Sequence, residues 1–291
     1  MAKIIVHIGL PKTATSSLQV ECFTNLNDCR IKYLGLKDPR ESKQSKLYLH
    51  FYNSVTKGTN IDETSDLFKN ELEKGYDLLI SDEMIVVGDW QMKIRNLFNI
   101  INELDYKLLV TVREPASAMF SYYTELYHIF EKEKRSFTEL ALQHNYMKIY
   151  HYKIFFQFLL QYFDKTRIKV FKFENIINNE LGELKDLVHI VSESALQNHN
   201  AKRLESDYVI KEQEIRAINL IAKMLSKLRL KINYELFFVK PLRKMAFFLF
   251  NRSVAKKSYK IHKPDREELD FIRKALQDEI SFIKHNFGIF Y

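Results

Sequence analysis

Cysteine is nearly absent. Cys22 and Cys29 are the only two in 291 residues, and their separation matches neither a CxxC metal knuckle nor a disulfide framework. A reducing compartment is the natural setting. Proline and glycine are scarce as well, five and seven in all, and no stretch rich in Pro, Gly or Ser divides the chain. With no linker and no internal repeat, the reading is a single domain over 1–291, with a core in 1–180 and a helical C-terminal part in 181–291. Long apolar runs are missing too. The most apolar stretch, MAFFLF (Met245 to Phe250), is far too short to cross a bilayer, and no basic head precedes a long apolar run at the N-terminus. The protein reads as cytoplasmic. No His, Cys, Asp or Glu cluster has metal-ligand spacing and no RNA- or DNA-reading motif is present, so neither a metal nor a nucleic acid is expected.

What remains is an ordinary globular composition, 46% hydrophobic and 28% charged, which argues against disorder. Charge is unevenly spread. Between Lys240 and Lys263 stand eight Lys or Arg and no Asp or Glu, and the other 37 basic residues balance the 37 acidic ones, so this window carries the whole net charge of +8. It reads either as a solvated basic face or as a surface for an acidic glycan or a lipid headgroup, with MAFFLF available for peripheral membrane contact.

Apolar patterning predicts a buried strand at KIIVHIG, a helix at SSLQVECFTNL, a weaker strand at IKYLGL and a helix at ETSDLFKNELEKG. It continues with a strand at YDLLISDE, a helix at WQMKIRNLFNIINEL and a strand at YKLLVTVRE. Pro115 then sits at the first turn of the helix ASAMFSYYTELYHIF. One long aromatic-rich helix, YMKIYHYKIFFQFLLQYF, leads to the strand RIKVFKFE, and helices dominate afterwards. Strands separated by helix-length segments imply crossover connections. The fold class is therefore α/β, a P-loop-like three-layer fold with a central, mostly parallel sheet of four to five strands. Ligands in such sheets bind beyond the carboxyl ends of the strands.

One such end is HIGLPKTATSSLQ, His7 to Gln19. A loop between a buried strand and a helix aims backbone N–H groups outward at the positive end of the helix dipole. Lys12 adds a cation, and Thr13, Thr15, Ser16 and Ser17 add hydroxyls, a set suited to phosphate or sulfate. The alternative is a plain helix cap on Thr15 or Ser16 with a solvated Lys12. The nucleotide-kinase pattern G-x-x-x-x-G-K-[ST] does not fit, because Ala14 stands five positions after Gly9 and Lys12 precedes it. A second anion signal is VTVREPASAMFSYY, where Arg113 ends a strand and Ser121 follows eight residues later in the next helix.

PKTATSSL resembles the 5′-phosphosulfate loop of sulfotransferases that use 3′-phosphoadenosine 5′-phosphosulfate (PAPS), and REPASAMFSYY resembles their 3′-phosphate motif. VFKFENI is similar to the later strand and acidic turn of that family. The likeness spans roughly Ile4 to Ile177, and its branch is the bacterial, carbohydrate-type one, to which HIGLPKTATSSLQ and SDE are most similar. It implies PAPS as co-substrate, with Lys12 at the oxygen bridging phosphate and sulfuryl group and Thr13, Ala14, Thr15, Ser16 and Ser17 along the 5′-phosphate. Arg113 and Ser121 would hold the 3′-phosphate. Where the family has Gly this chain has Ala14, which tolerates positive φ less well.

The strand end LLISDEM puts Ser81, Asp82 and Glu83 at the rim. Transfer to a hydroxyl needs a proton acceptor, and Glu83 is the first choice, Asp82 the second; an exposed capping carboxylate is the structural alternative. His7 reads as a packed or hydrogen-bonded residue, and His128, His144 and His151 as core or surface. The C-terminal Arg-Lys-Gly loop of the small-molecule branch is missing, with Lys256 or Lys257 as substitutes. The expected acceptor is a carbohydrate or glycolipid hydroxyl. A nucleotide-dependent kinase of P-loop-like fold and a basic nucleic-acid-binding module are the competing readings, separable by nucleotide preference and salt dependence.

Overall fold

In the computed structural model of the chain, described for residues 2–26, 30–35, 45–126, 130, 135–178, 209–211, 258–260 and 264–291, the sheet-forming segments are those with apolar or β-branched runs. They are β1 (Ile4–Gly9), β2 (Ile31–Tyr33), β3 (Asp77–Ser81), β4 (Tyr106–Val112) and β5 (Ile168–Lys172). All four pairings are parallel and the order is β2-β3-β1-β4-β5. Central β1 is buried along its whole length, as expected of a parallel strand covered on both faces. The expected α/β sheet of four to five strands is thus observed with five.

Between the strands run α1 (Thr15–Ser17), α2 (Lys46–Lys57), α3 (Ile61–Glu73), α4 (Trp90–Ile101) and α5 (Pro115–Glu125), then α6 (Phe137–Gln143), α7 (Tyr152–Leu159), α8 (Phe173–Ile177), α9 (Arg266–Ala275) and α10 (Gln277–Phe287). The periodicity argument did not reach α2. Its signals are plain in hindsight: the Ser45 side chain accepts from the Tyr48 N–H, Gly58 ends the helix at φ 68°, and Tyr48, Phe51 and Val55 form the buried stripe. The helix at 61–73 matches its expectation, with Gly75 just past its end at φ 88°.

Two elements differ from expectation. The helix after β1 is α-helical for only three residues; Leu18–Cys22 form a π-helical turn, closed by the Phe23 N–H on the Leu18 carbonyl, and Phe23–Asn25 a 3-10 turn. Such widened turns cluster at functional sites. The aromatic segment expected as one helix is broken at His151 into a 3-10 run (Asn145–Tyr150) and α7. The reason is directional. Tyr150 donates to the Pro11 carbonyl and Tyr152 to the Arg113 carbonyl, and residues two apart on a continuous helix point to opposite sides.

The chain divides into two compact units. The first (1–123, 135–199 and 265–291) holds the five-stranded sheet. In the second (124–134 and 200–264), β6 (Val209–Lys211) and β7 (Ser258–Lys260) form an antiparallel pair with Ile210 opposite Tyr259. Apart from Ser258–Lys260, the basic window 240–263 lies outside the described residues, as do MAFFLF, Cys29 and His128. Among the described residues, no helix is long and apolar enough to cross a membrane.

Candidate functional site

The carboxyl end of β1 delivers the chain into a five-residue loop whose carbonyls are held by the protein. Leu10 accepts from the Thr13 N–H and hydroxyl, Pro11 from the Tyr150 hydroxyl at 2.8 Å, Lys12 from Arg113 at 3.3 Å, and Ala14 from the Leu18 N–H at 3.0 Å. Lys12 and Ala14 take left-handed backbone, φ 66° and 65°. Left- and right-handed residues in alternation make successive N–H groups converge on one anion. Ala14 adopts the conformation for which glycine is the usual residue, so the strain implied by its sequence is present.

Thr15 opens α1. The N-cap of α1 is Ala14, which makes no side-chain hydrogen bond there and packs against the buried cluster that includes Ile5, Leu18 and Leu79. The Thr15 hydroxyl is buried without a hydrogen-bond partner, and it faces Gly9 so closely that a Cβ there would meet the Thr15 oxygen at 1.9 Å. A buried hydroxyl with no partner costs about 1–3 kcal/mol, and an anion oxygen within reach of a χ1 rotation removes that cost. Ser16 is exposed and Ser17 half-buried. Thr13 differs from its neighbours: its hydroxyl turns inward to Leu10 and Thr111, so what it offers an anion is loop shape and not a hydroxyl.

The neighbouring strand β4 supplies the second wall. Arg113 donates from Nη1 to the Lys12 carbonyl, and its guanidinium lies 4.4 Å over the Phe173 ring. Its backbone is clamped by Tyr152, whose hydroxyl accepts from the Arg113 N–H at 3.1 Å and donates to the Arg113 carbonyl at 2.5 Å. Glu114 then caps α5 by accepting from the N–H groups of Ala116 and Ser117. Pro115 follows in the first turn, as its sequence position implies. Ser121, two turns into α5, is 7% exposed.

On the other side of β1, β3 ends in Ser81 and passes to a 3-10 turn (Glu83–Val86). Asp82 is buried and both its oxygens are committed, Oδ1 to the Met84 N–H at 2.8 Å and Oδ2 to the Tyr48 hydroxyl at 2.9 Å. Burial raises its pKa, against the hydrogen bonds of Met84 and Tyr48. Lys93, its pKa lowered by burial, ties down the same turn by donating to the carbonyls of Met84 and Val87. Glu83 is half-buried at the start of that turn.

His7, read from the sequence as a packed or hydrogen-bonded residue, and Gln19, at the end of the same motif, complete the site. His7, buried, meets Ser81 Oγ through Nδ1 at 2.7 Å and Thr111 Oγ1 through Nε2 at 3.3 Å. Gln19 reaches the Ser81 carbonyl and hydroxyl. A polar residue near the carboxyl end of each of three strands, His7, Ser81 and Thr111, was the available signal. His144 caps the 3-10 run and His151 contacts the Ala141 carbonyl. Among the described residues, no three His, Cys, Asp or Glu side chains come together as a metal site requires.

No family model matches the chain, and no curated protein matches it. Among solved structures, it is similar to a sulfotransferase from Alicyclobacillus acidocaldarius at 14% identity, covering 79% of this chain and 97% of that one with a TM-score of 0.43. It is also similar to the sulfotransferase domain from the curacin biosynthetic pathway (14% identity, 67% and 77% covered, TM-score 0.40). A third is retinol dehydratase in complex with androsterone and inactive cofactor PAP (10% identity, 99% and 82% covered, TM-score 0.35).

Proposed function

We propose that the protein is a sulfotransferase that moves a sulfuryl group from PAPS to an acceptor hydroxyl on a carbohydrate or glycolipid. The observation that carries this reading is the hydrogen bond from Arg113 to the Lys12 carbonyl. It joins the two anion-binding segments, remote in sequence, at the carboxyl ends of adjacent strands, where one nucleotide can span both. The partnerless hydroxyl of Thr15 supports an oxyanion at the loop.

In this reading Lys12, Ala14, Thr15, Ser16 and Ser17 hold the 5′ end of the nucleotide, and Arg113 and Ser121 its 3′-phosphate. PAPS supplies the sulfuryl group and a phosphate leaving group. Lys12 and the loop amides stabilise charge that grows on the leaving oxygen, in a site already shaped for it. Glu83 takes the proton of the acceptor hydroxyl. Asp82 is the poorer base because Met84 and Tyr48 occupy both of its oxygens.

Thermal-shift titration with 3′-phosphoadenosine 5′-phosphate (PAP), ATP with Mg²⁺, and oligonucleotides tests the donor. PAP raises Tm and the others do not; stabilisation by ATP with Mg²⁺ alone turns the reading toward a kinase, and salt-sensitive binding of oligonucleotides toward a nucleic-acid module. Transfer from radiolabelled PAPS to a glycan and glycolipid panel tests the acceptor.

A further inference from the structure

Beneath the anion loop runs a chain of buried side chains whose hydrogens have one consistent arrangement. A carbonyl only accepts, so Thr13 spends its hydroxyl proton on the Leu10 carbonyl at 2.6 Å. Thr13 Oγ1 must then accept from the Thr111 hydroxyl at 2.7 Å. Thr111 Oγ1 in turn accepts from His7, 3.3 Å away, which puts the imidazole proton on Nε2. From the other end, the Ser81 carbonyl fixes the Gln19 amide as a donor, and that amide also reaches Ser81 Oγ at 3.2 Å. The Ser81 hydroxyl is left to donate to His7 Nδ1 at 2.7 Å. Every member is satisfied by this one arrangement.

A second imidazole proton would break it. Ser81 Oγ would then face donors from both His7 and Gln19, with its own proton lacking an acceptor. The surroundings agree: His7 is 0% exposed, its ring packs edge-on against Phe23, and burial lowers its pKa to about 3. The chain begins two residues before Glu83 and ends inside the turn that carries Lys12 and Ala14.

We propose that His7 is a positioning residue: locked as the Nε2–H tautomer between Ser81 and Thr111, it orients Thr13 and so holds the Lys12–Ala14 turn in its anion-receiving shape. The ligand named in the test rests on the sulfotransferase reading; the loop-ordering role does not.

The test uses the full chain, with Thr111→Val removing the relay hydroxyl at nearly constant shape and Thr111→Ser restoring it. In the parent, ¹⁵N-histidine NMR shows His7 protonated at Nε2, bare at Nδ1, and unchanged between about pH 5 and 8. Hydrogen exchange at the amides of Lys12 to Thr15 accelerates about tenfold in Thr111→Val, the effect of one lost buried hydrogen bond. The amides of β1 and β4 keep their rates, and Thr111→Ser returns the loop to the parent rate. PAP affinity falls about tenfold in the Val variant and recovers in the Ser variant.

An Nδ1–H tautomer, a His7 titration within that pH range, or loop exchange that is unchanged or rises only together with the strands overturns the proposal. The NMR result stands on the parent alone, should Thr111→Val fail to fold. A parent that ignores PAP but shows the tautomer and the loop effect overturns the sulfotransferase reading and upholds the role of His7.

Discussion

Gly9 and Thr15 approach so closely that a Cβ on Gly9 would stand 1.9 Å from the Thr15 hydroxyl oxygen and 2.8 Å from its Cβ. The contact is steric, since Gly9 is not among the residues with positive φ. Gly9→Ala therefore forces the first turn of α1 away from β1. We expect a stability loss of about 1–3 kcal/mol in urea denaturation and loss of PAP binding by calorimetry. Adding Thr15→Gly recovers part of the stability.

Ala14 occupies left-handed backbone at φ 65°, a conformation that costs an L-residue roughly 1–2 kcal/mol. Ala14→Gly removes that cost and returns part of it through the more flexible unfolded chain. The expected net gain is about 0.5–1 kcal/mol, with PAP binding equal to or tighter than the parent. A destabilised Gly variant would show that the packing of the Ala14 methyl against the core outweighs the backbone strain.

Lys12 and Glu83 separate in a kinetic comparison. Lys12→Ala removes a preorganised charge from the leaving group and is expected to lower kcat by roughly a hundred- to thousand-fold, with weaker PAP binding. Glu83→Gln keeps size and shape but cannot take a proton, so kcat falls by about a hundredfold or more while PAP affinity stays at the parent value. A Glu83→Gln enzyme as fast as the parent would remove Glu83 as the base.

Stability depends on pH through His7 and Asp82 with opposite signs. The folded state holds His7 neutral down to about pH 3 against an ordinary 6.5. Its contribution is complete above 6.5 and declines as pH falls toward 3, by about 1.4 kcal/mol per pH unit. Asp82, raised by burial, binds its proton more readily folded than unfolded and so loses stability as pH rises above 3.8. From pH 6.5 to 5, His7→Asn flattens the stability profile measured by urea denaturation, and Asp82→Asn removes the decline that sets in as pH rises above 3.8. An unaltered slope in His7→Asn would show that His7 does not titrate on unfolding.

The break at His151 marks where pattern reading stops. Aromatic density over 146–163 looks helical, because Tyr152, Phe155, Phe156 and Leu159 recur at helical spacing and are buried. What interrupts the helix is tertiary demand, Tyr150 on the Pro11 carbonyl and Tyr152 on Arg113, which a local window does not contain. Thr13 teaches the same point at the scale of one side chain. Its neighbours suggested an anion ligand, but Thr111 on β4 claims its hydroxyl.

Sequence alone placed the five strands of the sheet along the chain and set the phosphate-suited composition of the loops at two of their ends. Both follow from residues within a few positions of one another, through apolar periodicity and the residue types that follow each strand. The tertiary structure alone decided that Arg113 meets the Lys12 carbonyl, that both oxygens of Asp82 are occupied, and that His7 is buried between Ser81 and Thr111. Those outcomes depend on the lateral order β3-β1-β4, because hydrogen bonds and burial between strand ends are set by which strands are neighbours, and no short-range pattern encodes adjacency.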